Sequence, residues 1–560
     1  PVVLQFTGVL NVSALQDALN ELVARHESLR TCFTSSSSNN NNEPIQTILP
    51  EAQIKLVQHD VRSLSGEALR THIDELVQQG FDISQAPLLR AALLVRDDTE
   101  HVLVMCTHHI VSDGWSLGIM LQELGALYSA QCTNQSAGLP PLAIQYADYA
   151  IWQREWFSGP ELERQLNYWQ RELQDAPEAI DLPTDFPRPA EQTFNGAGML
   201  HLLPQDLADQ LQAIAEAHHC TLYMVMLAVF NILLGRYAGT DEVVVGTPIA
   251  GRRLTQLENL IGFFSNTLAI RGDLSGNPAF NELLSRTRQA TLGAYAHQDL
   301  PFEKLVEELQ PERDMSHTPV FQQMFIWTDS SDSRLTLPGL ESEAAVLISH
   351  DTAKFDLTLA LTNASAGIDA GFEYNTDLFE SGTIERMLGH YETLLQAVVA
   401  HPEAKLSELA LLDERERDTV VNTFNATAMD FGAPLCVHRL VEAQVEKSPD
   451  AIAVSFGDAS LTYSELNRQA NVLAAKLRAL GAGTGSRVAI SLERSLHLPV
   501  AALAIRRSAS GEASTPSSAQ SLARRATAVS MGMRRKSKRW HREMMVSGTL
   551  CTSVVARTNM

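Results

Sequence analysis

The chain has 560 residues, 45% of them hydrophobic and 19% charged, with a formal net charge of −23. That length admits several domains with ample core, and that charge argues against nonspecific adhesion to nucleic-acid phosphates. No apolar run approaches the roughly 20 residues of a membrane span. The six cysteines, at 32, 106, 132, 220, 436 and 551, keep neither disulfide nor zinc spacing, which suits a reducing cytoplasm.

The sequence opens on Pro1-Val-Val-Leu-Gln-Phe6, a strand already under way with no signal-peptide pattern before it; this reads as a fragment lacking its N-terminal segment. Residues 11–28 fit an amphipathic helix, with Asn11 as N-cap and Leu15, Leu19, Leu22 and Val23 on one stripe. A Ser/Asn run at 35–42 is a low-complexity loop. Strands are expected near 54–57 and 102–105. Directly after the second comes His108-His109-Ile110-Val111-Ser112-Asp113-Gly114. Leu117, Met120, Leu121, Leu124 and Tyr128 then repeat at helical spacing, and the first amides of that helix favour negative charge nearby. A polar helical stretch at 146–173 leads into a Pro-rich connection at 176–189. Beyond it, 222–237 reads as an apolar helix and 241–247 as a Val-rich buried strand. Strands and helices alternate to about residue 412, without a short internal repeat. A second α/β unit starts near Pro434, with a strand at 451–456, a helix reaching Leu480 and a strand at 488–492. After Ile505 the periodicity ends: residues 506–560 carry +9, the first 505 carry −32.

Residues 108–114 hold the chemistry. An apolar strand ending in a histidine pair can deliver to a cleft the side chain whose pKa lies nearest neutral pH. Neighbouring strand residues point to opposite faces, so one imidazole faces a site and the other packs behind it. Three readings compete: a core histidine satisfied by hydrogen bonds, a shared metal, and an acyl-transfer base. The alternating faces, and the lack of ligand spacing elsewhere, disfavour the metal.

Taken in order, these segments resemble the condensation domain of nonribosomal peptide synthetases, followed by the beginning of an adenylation domain. The heptapeptide matches the family's active-site motif. Arg25-His-Glu-Ser-Leu-Arg-Thr-Cys-Phe33, Tyr146-Ala-Asp-Tyr-Ala-Ile-Trp152, Ile261-Gly-Phe-Phe-Ser-Asn-Thr-Leu268, His297-Gln-Asp-Leu-Pro-Phe-Glu303 and Arg313-Asp-Met-Ser-His-Thr-Pro319 resemble five others. The resemblance implies an α/β fold of two chloramphenicol acetyltransferase-like lobes in a V, with a tunnel between them, and then a truncated α/β adenylation start. It places the first lobe at 1–160, the second at 161–420, and a linker with part of an adenylation domain at 421–505. The basic tail, 506–560, does not match the family and is expected to be disordered; a frameshift, a misread exon or a fragment end would account for it.

The implied activity is peptide-bond formation between a donor acyl or peptidyl thioester and an acceptor aminoacyl thioester, each carried on a phosphopantetheine arm. Implied partners are upstream and downstream carrier (thiolation) domains and the adenylation domain of the same assembly line. No cofactor bound in the fragment, no metal, no nucleic acid and no membrane are implied. The implied catalytic set is His108, His109, Asp113 and Gly114. Within it His109 faces the tunnel, as base or as a group orienting the amine, and His108 supports it. Asp113 is expected as a buried carboxylate that needs a partner, with Arg252 the candidate. Gly114 is expected to let the backbone turn tightly and approach substrate. Ser112 and Trp115 are expected to shape the acceptor side, Asn266 to touch a pantetheine arm, and Tyr146, Tyr149 and Trp152 to be core. Ser112-Asp-Gly-Trp-Ser116 resembles the version joining an L-configured donor to an L-configured acceptor, but the family's first motif is absent, which leaves the dual epimerisation and condensation subtype open. A noncatalytic docking or gatekeeping module and a stand-alone acyltransferase are the other readings. Leu461-Thr-Tyr-Ser-Glu-Leu466 and Val488-Ala-Ile-Ser-Leu-Glu-Arg494 resemble an adenylation domain. No phosphate loop ending in Pro-Lys-Gly and no carrier Gly-Gly-x-Ser site follow, so adenylation is not expected.

Overall fold

The computed structural model describes residues 1–35, 44–310, 314–328, 335, 337–344, 352–430 and 436–509, with the backbone of 526–530. Most of the Ser/Asn loop, Arg313 and most of the basic tail therefore lie outside the described residues. The chain divides into two compact units, 1–424 and 425–560.

In the first unit, β1 (Val2–Thr7) enters α1 (Val12–Arg25), whose start is set by the Asn11 side chain accepting the Ala14 N–H. The stripe Leu15, Leu19, Leu22 and Val23 is fully buried. Then come β2 (Thr31–Ser35), β3 (Pro44–Ile48), β4 (Leu56–Asp60), α2 (Glu67–Gln78), β5 (Leu89–Val95), β6 (Glu100–Thr107) and α3 (Gly114–Thr133). Strand β6 is apolar without alternation because both its faces are covered: Leu103 and Met105 pack into the cluster of α1 and α3, and Val102, Val104 and Cys106 into a second cluster with α2. The polar stretch is two helices, α4 (Tyr146–Trp156) and α5 (Pro160–Glu172), separated where Gly159 takes a positive φ of 57° and Pro160 opens the next helix. No residue of α4 is fully buried, and Trp152 and Trp156 stack on each other at 5.3 Å while remaining exposed. Trp152 is thus not a core residue; an exposed stack needs only helical spacing.

The second lobe contains β7 (Gly196–Pro204), α6 (Gln205–Ala217), α7 (Leu222–Ala238), β8 (Glu242–Ile249), β9 (Asn266–Asp273), α8 (Phe280–Ala296), α9 (Phe302–Leu309), β10 (Gln323–Thr328), β11 (Glu341–Ala344), β12 (Leu357–Ala364), β13 (Gly367–Asn375) and α10 (Ser381–Ala400). Helix α11 (Glu414–Asp418) continues into a π-helical turn, Thr419–Thr423, at the end of the unit. Among the described residues no single helix is long and apolar enough to cross a membrane. The most apolar, α7, is buried continuously from Met224 to Gly235 in the lobe's core.

Six strands form one sheet in the order β7-β13-β12-β10-β8-β9, five form another in the order β11-β1-β6-β5-β4, and β2 pairs with β3. Strand β11 therefore leaves its own lobe in sequence and pairs antiparallel with β1, Leu4 opposite Ala344. Ile261, Leu335 and Leu337 are buried in the first lobe's core as well. The lobes are not the contiguous segments 1–160 and 161–420; an edge strand and several core side chains are exchanged, which pairs the β1 edge that would otherwise lie open.

The second unit contains α12 (Val437–Lys447), a hairpin of β14 (Ile452–Phe456) and β15 (Ala459–Thr462), α13 (Tyr463–Ala479), β16 (Arg487–Ser491) and α14 (His497–Ala509). Thr462 and Glu465 form a capping box that starts α13. Strand β17 (Ala526–Ser530) pairs in parallel with β16. This corrects the expectation of a wholly disordered tail: α14 runs four residues past Ile505, and the open edge of β16 takes a strand from within 506–560.

Candidate active site

Strand β6 stops at Thr107, and the histidine pair stands on the turn that follows, a single 3-10 turn over His109–Val111. His108 is extended and held from both sides. Its N–H donates to the Leu88 carbonyl (3.1 Å), and its Nδ1 accepts the Ile110 N–H (3.1 Å), capping the turn. Its ring meets Phe81 edge-on. His109 is exposed, and its Nδ1 lies 2.7 Å from the Ser112 carbonyl oxygen. A carbonyl only accepts, so Nδ1 carries a proton, and in the neutral ring Nε2 presents a lone pair. The two imidazoles differ in environment as the strand argument required, but a turn, not strand alternation, separates them.

Asp113 is the N-cap of α3, accepting the Ser116 N–H at 2.9 Å, so the negative charge at this helix start is the protein's own. Its partner is Arg252, bound through both Nη atoms at 2.8 and 3.1 Å, with side chains 0% and 1% exposed respectively. Burial alone would raise the Asp113 pKa; hydrogen bonds and charge from Arg252, with the Ser116 donors, outweigh it and hold the carboxyl below its usual value. Asp113 is therefore ionised, fully bonded and shut away from any reacting group.

The same carboxylate holds a crossover segment, 260–265, which comes from the second lobe's sequence and has no regular structure of its own. Oδ2 of Asp113 accepts the N–H groups of Phe264 (3.0 Å) and Ser265 (3.2 Å). The Ser116 hydroxyl lies 3.1 Å from the Gly262 nitrogen and 2.9 Å from its oxygen. The Ile261 carbonyl accepts from Ser28 Oγ at 2.7 Å, and the Ile261 N–H donates to His26 Nδ1 at 3.4 Å. His26 in turn faces Glu123 at 2.7 Å, and Arg25 binds both Glu123 oxygens. The Tyr146 hydroxyl donates to the Phe263 carbonyl at 2.8 Å. Burial, then Tyr149 and Asp113, pushes that phenol's pKa up to about 12, so it remains a donor at neutral pH. Each exchange secures a backbone group that would otherwise be orphaned. His26, Ser28, Ser116 and Tyr146 had no such role in the sequence reading, since no local pattern marks a side chain that will bind irregular backbone elsewhere.

Three other expectations change. Gly114 is the first residue of α3 and has no positive φ; a Cβ there would meet nothing within 4 Å. What the glycine provides is open space, not a tight turn. Ser112 is buried, its hydroxyl directed at the Asp113 carbonyl, and it serves His109 through its own backbone oxygen rather than by lining the acceptor side. Asn266 has both amide hydrogens on the carbonyls of Gln298 and Leu300 (2.9 and 2.7 Å), and its oxygen accepts from Thr267 and Phe302. With its amide engaged at four points, it holds the 298–302 loop and has no hydrogen bond left for a pantetheine arm. Trp115 is half exposed and donates to the Glu258 carbonyl at 2.9 Å, two residues before the crossover. A cavity of about 390 Å³ adjoins His59, Leu76, Arg90 and Cys106, but His108, His109 and Asp113 do not line it.

The family model described as "Condensation domain" matches residues 1–421, and that described as "AMP-binding enzyme" matches 441–525. Malpinin synthetase of Mortierella alpina is 44% identical over 507 residues, which cover 90% of this chain and 6% of that protein. Chondramide synthase of Chondromyces crocatus is 42% identical over 512 residues, 90% of this chain and 13% of that protein. The chain thus spans only a small part of the length of these two relatives. Among solved structures, the X-domain from teicoplanin biosynthesis superposes with a TM-score of 0.67 at 28% identity, covering 73% of this chain and 92% of that one. A four-domain nonribosomal peptide synthetase bound to AMP and glycine superposes with a TM-score of 0.80 at 22% identity, covering 100% and 41%.

Proposed function

This chain belongs to the condensation-domain family through residues 1–421, and on that premise we propose that it joins a donor acyl or peptidyl thioester to an acceptor aminoacyl thioester. The acceptor amine attacks the donor carbonyl, the C–N bond forms, the C–S bond breaks, and the amine's proton is ultimately returned to the departing thiolate. Exchange of a thioester for an amide runs downhill, so this chain's part is to position two tethered reactants and handle one proton.

The observation that carries the reading is the His109 geometry. Nδ1–H is fixed on the Ser112 carbonyl, leaving Nε2 as the basic nitrogen of an exposed imidazole. Such a nitrogen can accept the amine's hydrogen bond and then its proton. His108 and Asp113 support it without joining the chemistry, His108 by capping the turn and Asp113 by fixing the crossover to α3. The phosphopantetheine arms belong to the substrates, and carrier domains on either side are the partners. For the subtype, Ser112-Asp-Gly-Trp-Ser116 supports the L-to-L version, with the dual epimerisation and condensation subtype as the alternative. A cytoplasmic setting agrees with the five free cysteines among the described residues. The second unit covers only the beginning of the AMP-binding family, so no amino-acid adenylation is assigned to it.

A second reading, a docking module without chemistry, draws support from one neighbour: the X-domain from teicoplanin biosynthesis was solved in complex with OxyB, at 28% identity. The two readings part in one experiment. Donor and acceptor are loaded on separate carriers and mixed with the protein, and intact-mass spectrometry follows the acceptor carrier. An elongated chain on that carrier supports condensation. Carrier binding without elongation, across a panel of L and D donors, would favour docking.

A further inference from the structure

The hydrogen bond to Ser112 fixes one point of the His109 ring, and a ring held at one point can still turn away and exchange tautomers. The second contact is Phe263, whose ring centroid lies 4.8 Å from that of His109 with the planes at 68°. Phe263 is 38% exposed, on a segment without regular structure of its own. What singles the ring out is its contact with His109.

Its backbone is held on every side. The preceding Gly262 presents both its N–H and its carbonyl to Ser116 Oγ, the Phe263 carbonyl accepts from Tyr146, and the following N–H donates to Asp113. The Ser116 hydroxyl is itself fully buried and also touches Arg252 Nη2 (2.9 Å) and Asp113 Oδ1 (2.7 Å). With one proton and two lone pairs, it accepts from Arg252 and Gly262 and shares its proton between the two oxygens. A position outside regular structure has thus been registered by side chains of the other lobe, and the side chain presented there meets the imidazole edge-on.

We propose that Phe263 is a positioning residue for His109: its ring, registered by the Ser116 clamp on Gly262, keeps the imidazole oriented with Nδ1 on Ser112 and Nε2 free. This rests on the reading of His109 as the group that receives the amine's proton. An edge-to-face aromatic contact biases populations by roughly a factor of two to twelve, which sets the effect to look for.

The test uses the full chain labelled with 15N-histidine, with His109 assigned by the signals lost in His109→Ala. In the native protein the neutral His109 ring is expected as a single tautomer with Nδ1 protonated. Phe263→Leu is expected to move its 15N shifts toward the average of two tautomers and to lower kcat roughly five- to tenfold with KM changed less than twofold. Phe263→Tyr, which keeps the ring, is expected to restore both. Urea midpoints of the two variants check that the fold is retained. Unchanged His109 shifts in Phe263→Leu overturn the inference, whatever the rate, and leave the reading of His109 standing if His109→Ala is impaired. Full activity in His109→Ala overturns that reading on its own, whatever the spectra show.

Discussion

Replacing Asp113 with alanine separates a residue that reacts from one that holds the reacting residue. The carboxylate is fully buried and binds Arg252, itself 1% exposed, together with the backbone N–H groups of Ser116, Phe264 and Ser265. Removing one member of a buried ion pair costs about 3–5 kcal/mol, because the other charge is left without compensation. Each orphaned amide adds about 1–3 kcal/mol unless water reaches it. With three amides orphaned, the combined loss is about 6–14 kcal/mol where water stays out, comparable with the roughly 5–15 kcal/mol that a domain possesses. Urea unfolding should place Asp113→Ala near the edge of folding, and Asp113→Ala/Arg252→Met, which removes both charges, should regain about 2 kcal/mol. The condensation rate per folded molecule should fall far less in Asp113→Asn than in His109→Ala. The reasoning fails if Asp113→Ala loses less than about 1 kcal/mol while its rate per folded molecule drops as far as that of His109→Ala.

Three further outcomes follow from the same geometry. Gly114→Ala should leave the urea midpoint unchanged, since the added methyl meets nothing, yet reduce kcat/KM about tenfold if substrate uses that space; an unchanged rate would remove Gly114 from the site. Gly262→Ala puts a Cβ 2.2 Å from the Tyr146 ring and should cost about 2 kcal/mol, much of it recovered in a Tyr146→Ala background. The Asp113 pKa is depressed by folding, so its contribution is present above the unfolded value of about 4 and is lost as pH falls through the lower folded value. Urea midpoints should accordingly hold from pH 7 to about 5 and then fall, less steeply in Asp113→Asn.

Local chemistry was readable from the sequence where one residue's need is strict. A buried carboxylate requires a cation; that need does not say which one, and Arg252, a candidate given with the family resemblance, is the partner found 139 residues away from Asp113. Helix α1 was readable from an Asn cap and an apolar stripe, and α7 from a continuous apolar run. The crossover was not. Its peptide groups bind Ser116 and His26, 146 and 235 residues distant in sequence, and irregular backbone has no period to reveal such partners. The strand argument separated His108 from His109 for a reason the structure replaces with a turn. Asn266 opens β9, and an amide engaged by four backbone groups looks in sequence just like one available to a ligand.

The central claim is that one imidazole, His109, handles the proton while its neighbours hold it in place. Single-turnover condensation, with donor and acceptor thioesters preloaded on separate carriers, measures that directly. His109→Ala should slow amide formation by about 100- to 10,000-fold without a comparable shift in the urea midpoint, because the His109 side chain is exposed. Equal single-turnover rates in the native protein and His109→Ala would contradict the account.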